Sequence, residues 1–329
     1  MRPGGPAIVR RIDHVNVVVP DPPAFFRVLT ERFELPVAWP FTRFPSFESG
    51  AAAIGINVEA VRYAPGHPSP AGDYAGLYAI AFEPEPLDEA RAELARREIP
   101  HSPPLRYTGR YPAEANTPVL HRPPQEGGAL WTLIVLGGLI GDESSARRYS
   151  RGIERGAGRF APIIGRIGGW LASGPLAARV SAQGTSRRPF VFLCKYNDFN
   201  IPEGHAIGLA DLASREGGPL GLVRTQELVV TAREAAAEVD RWQRLLDPLE
   251  PTEPGRWQPG DGPALRVVEG DEDRIDRMVW TVRSLDKAAD WLRGQDMLAA
   301  GPEGTISIAP DVLQGVNISL EAEDEAKAD

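Results

Sequence analysis

Residues 12–21, Ile-Asp-His-Val-Asn-Val-Val-Val-Pro-Asp, read as a strand that ends in a turn. Alternation along a strand sends His14, Asn16 and Val18 to one face and Asp13, Val15 and Val17 to the other. A helical period follows: Phe25, Phe26, Val28 and Leu29 form an apolar face among Arg27, Thr30, Glu31 and Arg32, and Pro22 and Pro23 stand where a helix can begin. A further strand is expected over 54–61, with Asn57, Glu59 and Val61 on one face. If the two strands are neighbours with these faces inward, His14 and Glu59 converge on one concavity.

The same succession recurs along the chain. Strand openings are expected at 77–84, 222–230 and 275–282, followed by helices over 87–97, 235–246 and 285–292, with further strands at 130–136, 190–196 and 315–320. Val239, Trp242, Leu245 and Leu246 recur at helical spacing until Pro248 stops the helix, so Trp242 reads as a core residue. Repetition at a fixed period is a stronger guide to architecture than any single motif. It predicts an α+β chain of four βαβββ modules, divided at a glycine-rich turn, 217–221, into an N-terminal half (1–215) and a C-terminal half (216–329).

The motif Asp13-His14 followed by apolar residues and Pro20-Asp21 resembles the opening of the vicinal oxygen chelate superfamily, which includes glyoxalase I, bleomycin-resistance proteins and extradiol dioxygenases. The resemblance implies that the modules pair into two curved mixed β-sheet half-barrels of glyoxalase-like form. It also implies metal ligands on the first and last strands of each module. His14 and Glu59 match two of those positions. Tyr78 falls where the second module would carry its first ligand, and Leu193, Cys194 or Lys195 where it would carry its last. A divalent ion (Zn, Fe, Mn, Ni or Mg) would then rest on His14 and Glu59, although catalytic zinc and iron sites ordinarily have three protein ligands. In the C-terminal half Glu227 takes the place of His14, Arg277 takes it in the fourth module, and Ser319 takes that of the terminal glutamate. An arginine there repels a cation and suits pairing with Glu227 or with an anionic ligand, so this half is expected to be metal-free.

One segment breaks the repeat. Residues 142–188 form an insertion, read as helical, with Arg147, Arg148, Arg151, Arg155, Arg159 and Arg166 ahead of an apolar cluster around Trp170. It reads as a packed helical hairpin with solvated arginines, or as a mobile lid over the N-terminal cup. An interfacial membrane helix is disfavoured by its glycines.

Composition narrows the classes. The 329 residues suffice for two domains, and a net charge of −9 argues against nucleic acid or anionic membranes as partners. The single cysteine, Cys194, permits no internal disulfide and fits the cytoplasm. No signal core and no apolar run long enough to span a bilayer is visible. His67, His101 and His121 sit among prolines and His205 in an expected linker, so all four read as surface residues. No nucleophile elbow, phosphate loop or dinucleotide fingerprint occurs in a strand-to-helix setting.

Two functions remain. One is an enzyme in which a metal at His14 and Glu59 chelates paired oxygens of a small substrate for lyase, isomerase or dioxygenase chemistry, with Glu59 or Tyr78 moving a proton. Asn16, Cys194, Tyr196 and Asp198 are then candidate substrate contacts. The other is a metal-free protein that sequesters a small aromatic compound in a cup lined by Tyr78, Trp131 and Phe192. Either form accommodates a homo-oligomer.

Overall fold

The computed structural model describes residues 5–43, 47–63, 74–108, 117, 129–141, 189–196 and 200–323. The arginine-rich insertion, Asp198, His67 and His121 lie outside the described residues. The first unit comprises β1 (Val9–Val18), α1 (Pro22–Arg27, continued by a π-helical turn over Val28–Arg32), β2 (Val37–Arg43), β3 (Phe47–Ala53) and β4 (Asn57–Tyr63). The second comprises β5 (Gly76–Pro84), α2 (Leu87–Arg96), β6 (Leu105–Thr108), β7 (Ala129–Leu136) and β8 (Phe190–Tyr196). After α3 (Ile201–Ser214), the third unit has β9 (Leu222–Ala232), α4 (Ala235–Leu246), β10 (Arg256–Trp257) and β11 (Ala264–Glu269). The fourth has β12 (Arg274–Val282), α5 (Leu285–Gly294), β13 (Leu298–Ala300), β14 (Ile306–Ile308) and β15 (Ile318–Ala322). Among the described residues the third unit therefore carries two strands after its helix where the others carry three.

Modules pair in chain order. One sheet runs β2-β3-β4-β1-β5-β8-β7-β6 and the other β10-β11-β9-β12-β15-β14-β13. Within each unit of the first sheet the opening strand lies parallel to the last one, β1 to β4 and β5 to β8, and the two units meet along antiparallel β1 and β5. These are two mixed sheets with few helices, the α+β glyoxalase-like arrangement that the repeat predicts.

Local chemistry accounts for the punctuation. The Asp21 carboxylate accepts from the Ala24 amide at 3.1 Å and prolines occupy the first turn of α1, an N-terminus that costs no backbone donor. Between α3 and β9, Gly217 has φ 80°, and a Cβ there would stand 2.3 Å from the Leu222 amide nitrogen. Only glycine fits that turn.

The helices and one face of each sheet share a single apolar core. Ile12, Val15 and Phe82 of the first sheet belong to it together with Trp242, Met278 and Trp280 of the second half. Phe82 and Trp242 approach to 6.1 Å between ring centres. Burying each such side chain stabilises the fold by about 1.5–3 kcal/mol relative to exposure. The halves are also tied by Arg97, whose Nη1 donates to the carbonyls of Arg244 and Asp247, both at 2.8 Å, at the C-terminal end of α4. This core lies on one side of the N-terminal sheet. The inward-facing residues lie on the other.

Candidate functional site

Register decides which side chains meet on the inner face. His14 lies beside Asn57 and Asn16 beside Glu59 across the parallel β1–β4 pair, while His14 lies beside Ala81 and Asn16 beside Ala79 across β1–β5. Partners in a ladder project to the same face, so the row continues through Phe190 and Phe192 of β8 to Val135, Leu133 and Trp131 of β7. Ala79 and Ala81 form a low floor between taller neighbours. Across that floor the His14 imidazole meets the Phe192 ring edge-on, 5.5 Å between centres.

His14 Nε2 stands 3.5 Å from Glu59 Oε2. The Asn16 amide donates to the same carboxylate oxygen at 2.5 Å. The other imidazole nitrogen, Nδ1, is 2.7 Å from Asp13 Oδ2. All four side chains are at least partly buried, and Asp13 and His14 are almost completely so.

The contact with Asp13 corrects the strict alternation expected from the sequence. A register shift between Ile12 and His14 makes Asp13 the extra residue of a β-bulge, and bulges re-aim side chains. Asp13 thus lies against His14 instead of on the opposite face. A second correction concerns His205. It belongs to α3, is buried rather than exposed in a linker, and its Nε2 lies 4.0 Å from Asp13 Oδ1. Both of those atoms lack a hydrogen-bond partner. Burial lowers the His205 pKa, so its ring is held neutral beside Asp13.

Electrostatics at the centre favour a positive occupant. Burial alone would lower the His14 pKa, but the carboxylates of Asp13 and Glu59 outweigh it and the net direction is upward. Burial raises Glu59, opposed by His14 and by hydrogen bonds from Ser49 and Asn16. The buried cluster therefore holds its protons to a higher pH than the same groups would in solution. Burial, followed by the charge of Asp13, pushes the Tyr196 hydroxyl well above its ordinary value, which keeps it a neutral donor.

The remaining predicted residues are distributed as follows. Phe192 and Cys194 share an apolar cluster with Ala79, Ala81 and Val135, against which Trp131 and Tyr196 pack. Tyr78 is the extra residue of a bulge in β5 and packs on Val18, Tyr74 and Phe190. Ala79, one residue further on, occupies the register position beside Asn16. Asp13, Ser49 and His205 are the participants that the sequence reading did not place at the site. The Asp-His dipeptide was the available signal for Asp13; nothing in the local pattern marked Ser49 or His205.

The donor set suits a divalent ion in kind. An imidazole whose Nδ1 is anchored by a carboxylate presents Nε2 as a ligand, and such outer partners recur behind metal-binding histidines. For two ligands at about 2.1 Å from one ion, a 3.5 Å separation subtends roughly 110°. Among the described residues no group of three or more His, Cys, Asp or Glu side chains has metal-binding geometry.

The C-terminal sheet repeats the register with different chemistry. Glu227 lies beside Ala264, and Val229 beside Arg266, so Glu227 and Arg266 occupy the positions of His14 and Glu59. They form an ion pair at 3.0 Å, joined by Arg256 at 2.6 Å. The alternative pairing of Arg277 with Glu227 is corrected: Arg277 Nη1 binds Asp276 at 2.8 Å, because Asp276 is adjacent on the same strand and Glu227 already has two guanidinium partners.

Comparison with known proteins places the fold. No family model matches the sequence, and no curated protein matches it. Among solved structures, homoprotocatechuate 2,3-dioxygenase from Arthrobacter globiformis is similar with a TM-score of 0.51 and 12% identity over 97% of this chain and 81% of the other. The enzyme of that name from Brevibacterium fuscum, in complex with 3,4-dihydroxyphenylacetate, gives 0.52 and 11% identity over 98% and 84%. A hypothetical protein from Staphylococcus aureus gives 0.52 and 9% over 95% and 99%. At these identities the likeness shows the fold, and that fold is the vicinal oxygen chelate arrangement. No helix among the described residues is long and apolar enough to cross a membrane.

Proposed function

We propose that this protein is a small-molecule enzyme of the vicinal oxygen chelate type, in which His14 and Glu59 of the N-terminal half, residues 1–215, hold a divalent metal. The observation that carries the reading is the convergence of His14 Nε2 and Glu59 Oε2 at 3.5 Å, with Nδ1 already engaged by Asp13. Likeness in fold to homoprotocatechuate 2,3-dioxygenase, solved in complex with 3,4-dihydroxyphenylacetate, supports it. A metal bound there would supply Lewis-acid stabilisation to paired oxygens of the substrate. The chain's own residues supply the rest. Asp13 fixes the tautomer of His14. Asn16 orients Glu59, and a half-turn of its amide would offer an oxygen as a further donor. Glu59, its pKa raised by burial, takes or returns a proton of the substrate. Tyr196 donates to developing negative charge, and Phe192 with the alanine floor admits a flat ring.

The test is the metal content of freshly purified, untagged protein, followed by titration of chelator-treated protein with Zn, Mn, Fe, Ni and Mg. About one ion per chain is expected, lost in His14→Ala and in Glu59→Gln. No binding to the wild-type protein, or equal binding to both variants, overturns the reading.

The aromatic wall favours a second reading, metal-free sequestration of an aromatic compound. Phe190 and Phe192 stack at 5.5 Å, and Trp131 meets Tyr196 edge-on at 6.4 Å. If chelator-treated protein quenches its tryptophan emission with a substituted catechol as strongly as metal-loaded protein does, sequestration is the better description.

A further inference from the structure

The inner face of the C-terminal sheet can be matched position by position to that of the N-terminal sheet. In β5, Tyr78 and Ala79 lie between the core residues Leu77 and Ile80, at a bulge opposite β1. In β12, Asp276 and Arg277 lie between the core residues Ile275 and Met278, at a bulge opposite β9. The next strand agrees: Ala79 and Ala81 stand beside Phe190 and Phe192, whereas Met278 and Val279 stand beside Ile318 and Ser319, which brings Asn317 to the position of Phe190. Tyr78, Ala79, Phe190 and Phe192 of the first sheet are thus replaced at matching positions by Asp276, Arg277, Asn317 and Ser319.

This polar wall borders a cleft of about 210 Å³. Its lining includes Asp276, Arg277, Ser307 and Ser319, with Ala299 and Ala300 on the strand next to Ser307. The Arg277 Nε is buried and has no hydrogen-bond partner, although Nη1 of the same guanidinium holds Asp276 at 2.8 Å. Asp276 is shared: Arg274 Nη2 reaches its other oxygen at 2.6 Å. Glu272 touches Arg274 at 3.6 Å but is largely exposed, so water screens it. Asp276 is thus shared between two guanidinium groups, of which Arg277 lines the cleft beside it. The Ser307 and Ser319 hydroxyls lie 3.3 Å apart and can both turn toward an acceptor.

A buried N–H left unpaired is costly, and an arginine edge matches a carboxylate closely. We propose that the C-terminal cup is a second ligand site that takes the carboxylate of a small aliphatic acid, with the head group on Arg277 and Ser319 and the short chain against Ala299 and Ala300. Its volume, below the roughly 300–1,000 Å³ of drug-sized sites, limits the ligand to a few carbons. The proposal does not depend on metal at His14.

The experiment uses the full chain with butyrate, its neutral isostere butyramide, and inorganic phosphate, followed by calorimetry and by the Arg277 Nε–H resonance in nitrogen-15 spectra. Butyrate is expected to bind with a Kd on the order of 1 mM and to shift that resonance, while butyramide does neither. Arg277→Gln should weaken butyrate at least about tenfold, and His14→Ala should leave it unchanged. If Arg277→Gln does not fold by circular dichroism, Arg277→Lys and Ser319→Ala are measured in its place, and each should weaken binding. No butyrate binding, equal affinity in these variants, or equal binding of butyramide overturns the proposal. Phosphate bound in preference to butyrate overturns the carboxylate assignment.

Discussion

Glu93 offers a quantitative test of how the two halves are joined. It lies on α2 with its side chain 5% exposed, beneath Arg96 and Arg97, whose guanidinium groups bind it at 2.5 and 2.6 Å. Hydrogen bonds from Arg96 first, then Arg97, hold its pKa down from 4.5 to about 2. A folded-state pKa below the unfolded one contributes stability above the unfolded value, and that contribution is lost as pH falls through the folded one. The full shift corresponds to about 3.4 kcal/mol at neutral pH. Arg96 is half exposed, so solvent screening reduces this to about 1.5 kcal/mol. Roughly 40% of the contribution remains at pH 3, and little at pH 2. Urea unfolding of Glu93→Gln against wild type should therefore show a loss of about 1.5 kcal/mol at pH 7 that shrinks to roughly 0.6 at pH 3. A loss of equal size at both values would mean that packing, not charge, is responsible, and the reasoning would be wrong.

Three further outcomes follow from the same contacts. Asp13→Asn removes the carboxylate behind His14 Nδ1 and should lower metal affinity about 10–100-fold by calorimetry; unchanged affinity would detach Asp13 from the site. Ala81→Leu raises the floor beneath His14 and Phe192, should cost about 1–3 kcal/mol, and should abolish ligand-induced quenching; wild-type quenching would show that the ligand lies elsewhere. Arg97→Met removes one of the two guanidinium groups on Glu93 and leaves the last carbonyls of α4 without their donor, so amide exchange should accelerate in residues 242–247 before the rest of that helix; uniform acceleration would favour a global effect.

Much of the fold was readable because its signals are local and repeated. A strand followed by an amphipathic helix opens each unit, and the glycine turn before β9 separates the sheets. Two features were not readable for a shared reason. The bulge at Asp13 and the placement of α3 beside it depend on pairing between residues far apart in the chain, so alternation could not show that Asp13 touches His14 or that His205 is buried near it. The missing strand of the third unit is likewise a property of the segment between α4 and β11, where the chain carries only the two-residue β10. Tyr78 illustrates the same limit, since one inserted residue at a bulge exchanges the positions of an aromatic wall and an alanine floor.

The two cups separate what the backbone dictates from what the side chains decide. At matching register, one sheet carries His14 and Glu59 above an alanine floor, and the other carries Glu227 locked between Arg256 and Arg266. The second arrangement is internally neutralised, because a guanidinium occupies the position where a cation would bind. The first is not: two carboxylates and an imidazole share a buried space, where burial raises the Glu59 pKa and the carboxylates raise that of His14 against its burial. A divalent ion bound there would compete with the protons these groups hold. The case for a metal thus rests on the convergence of His14 and Glu59 in one cup of a duplicated frame, which the frame alone could not supply.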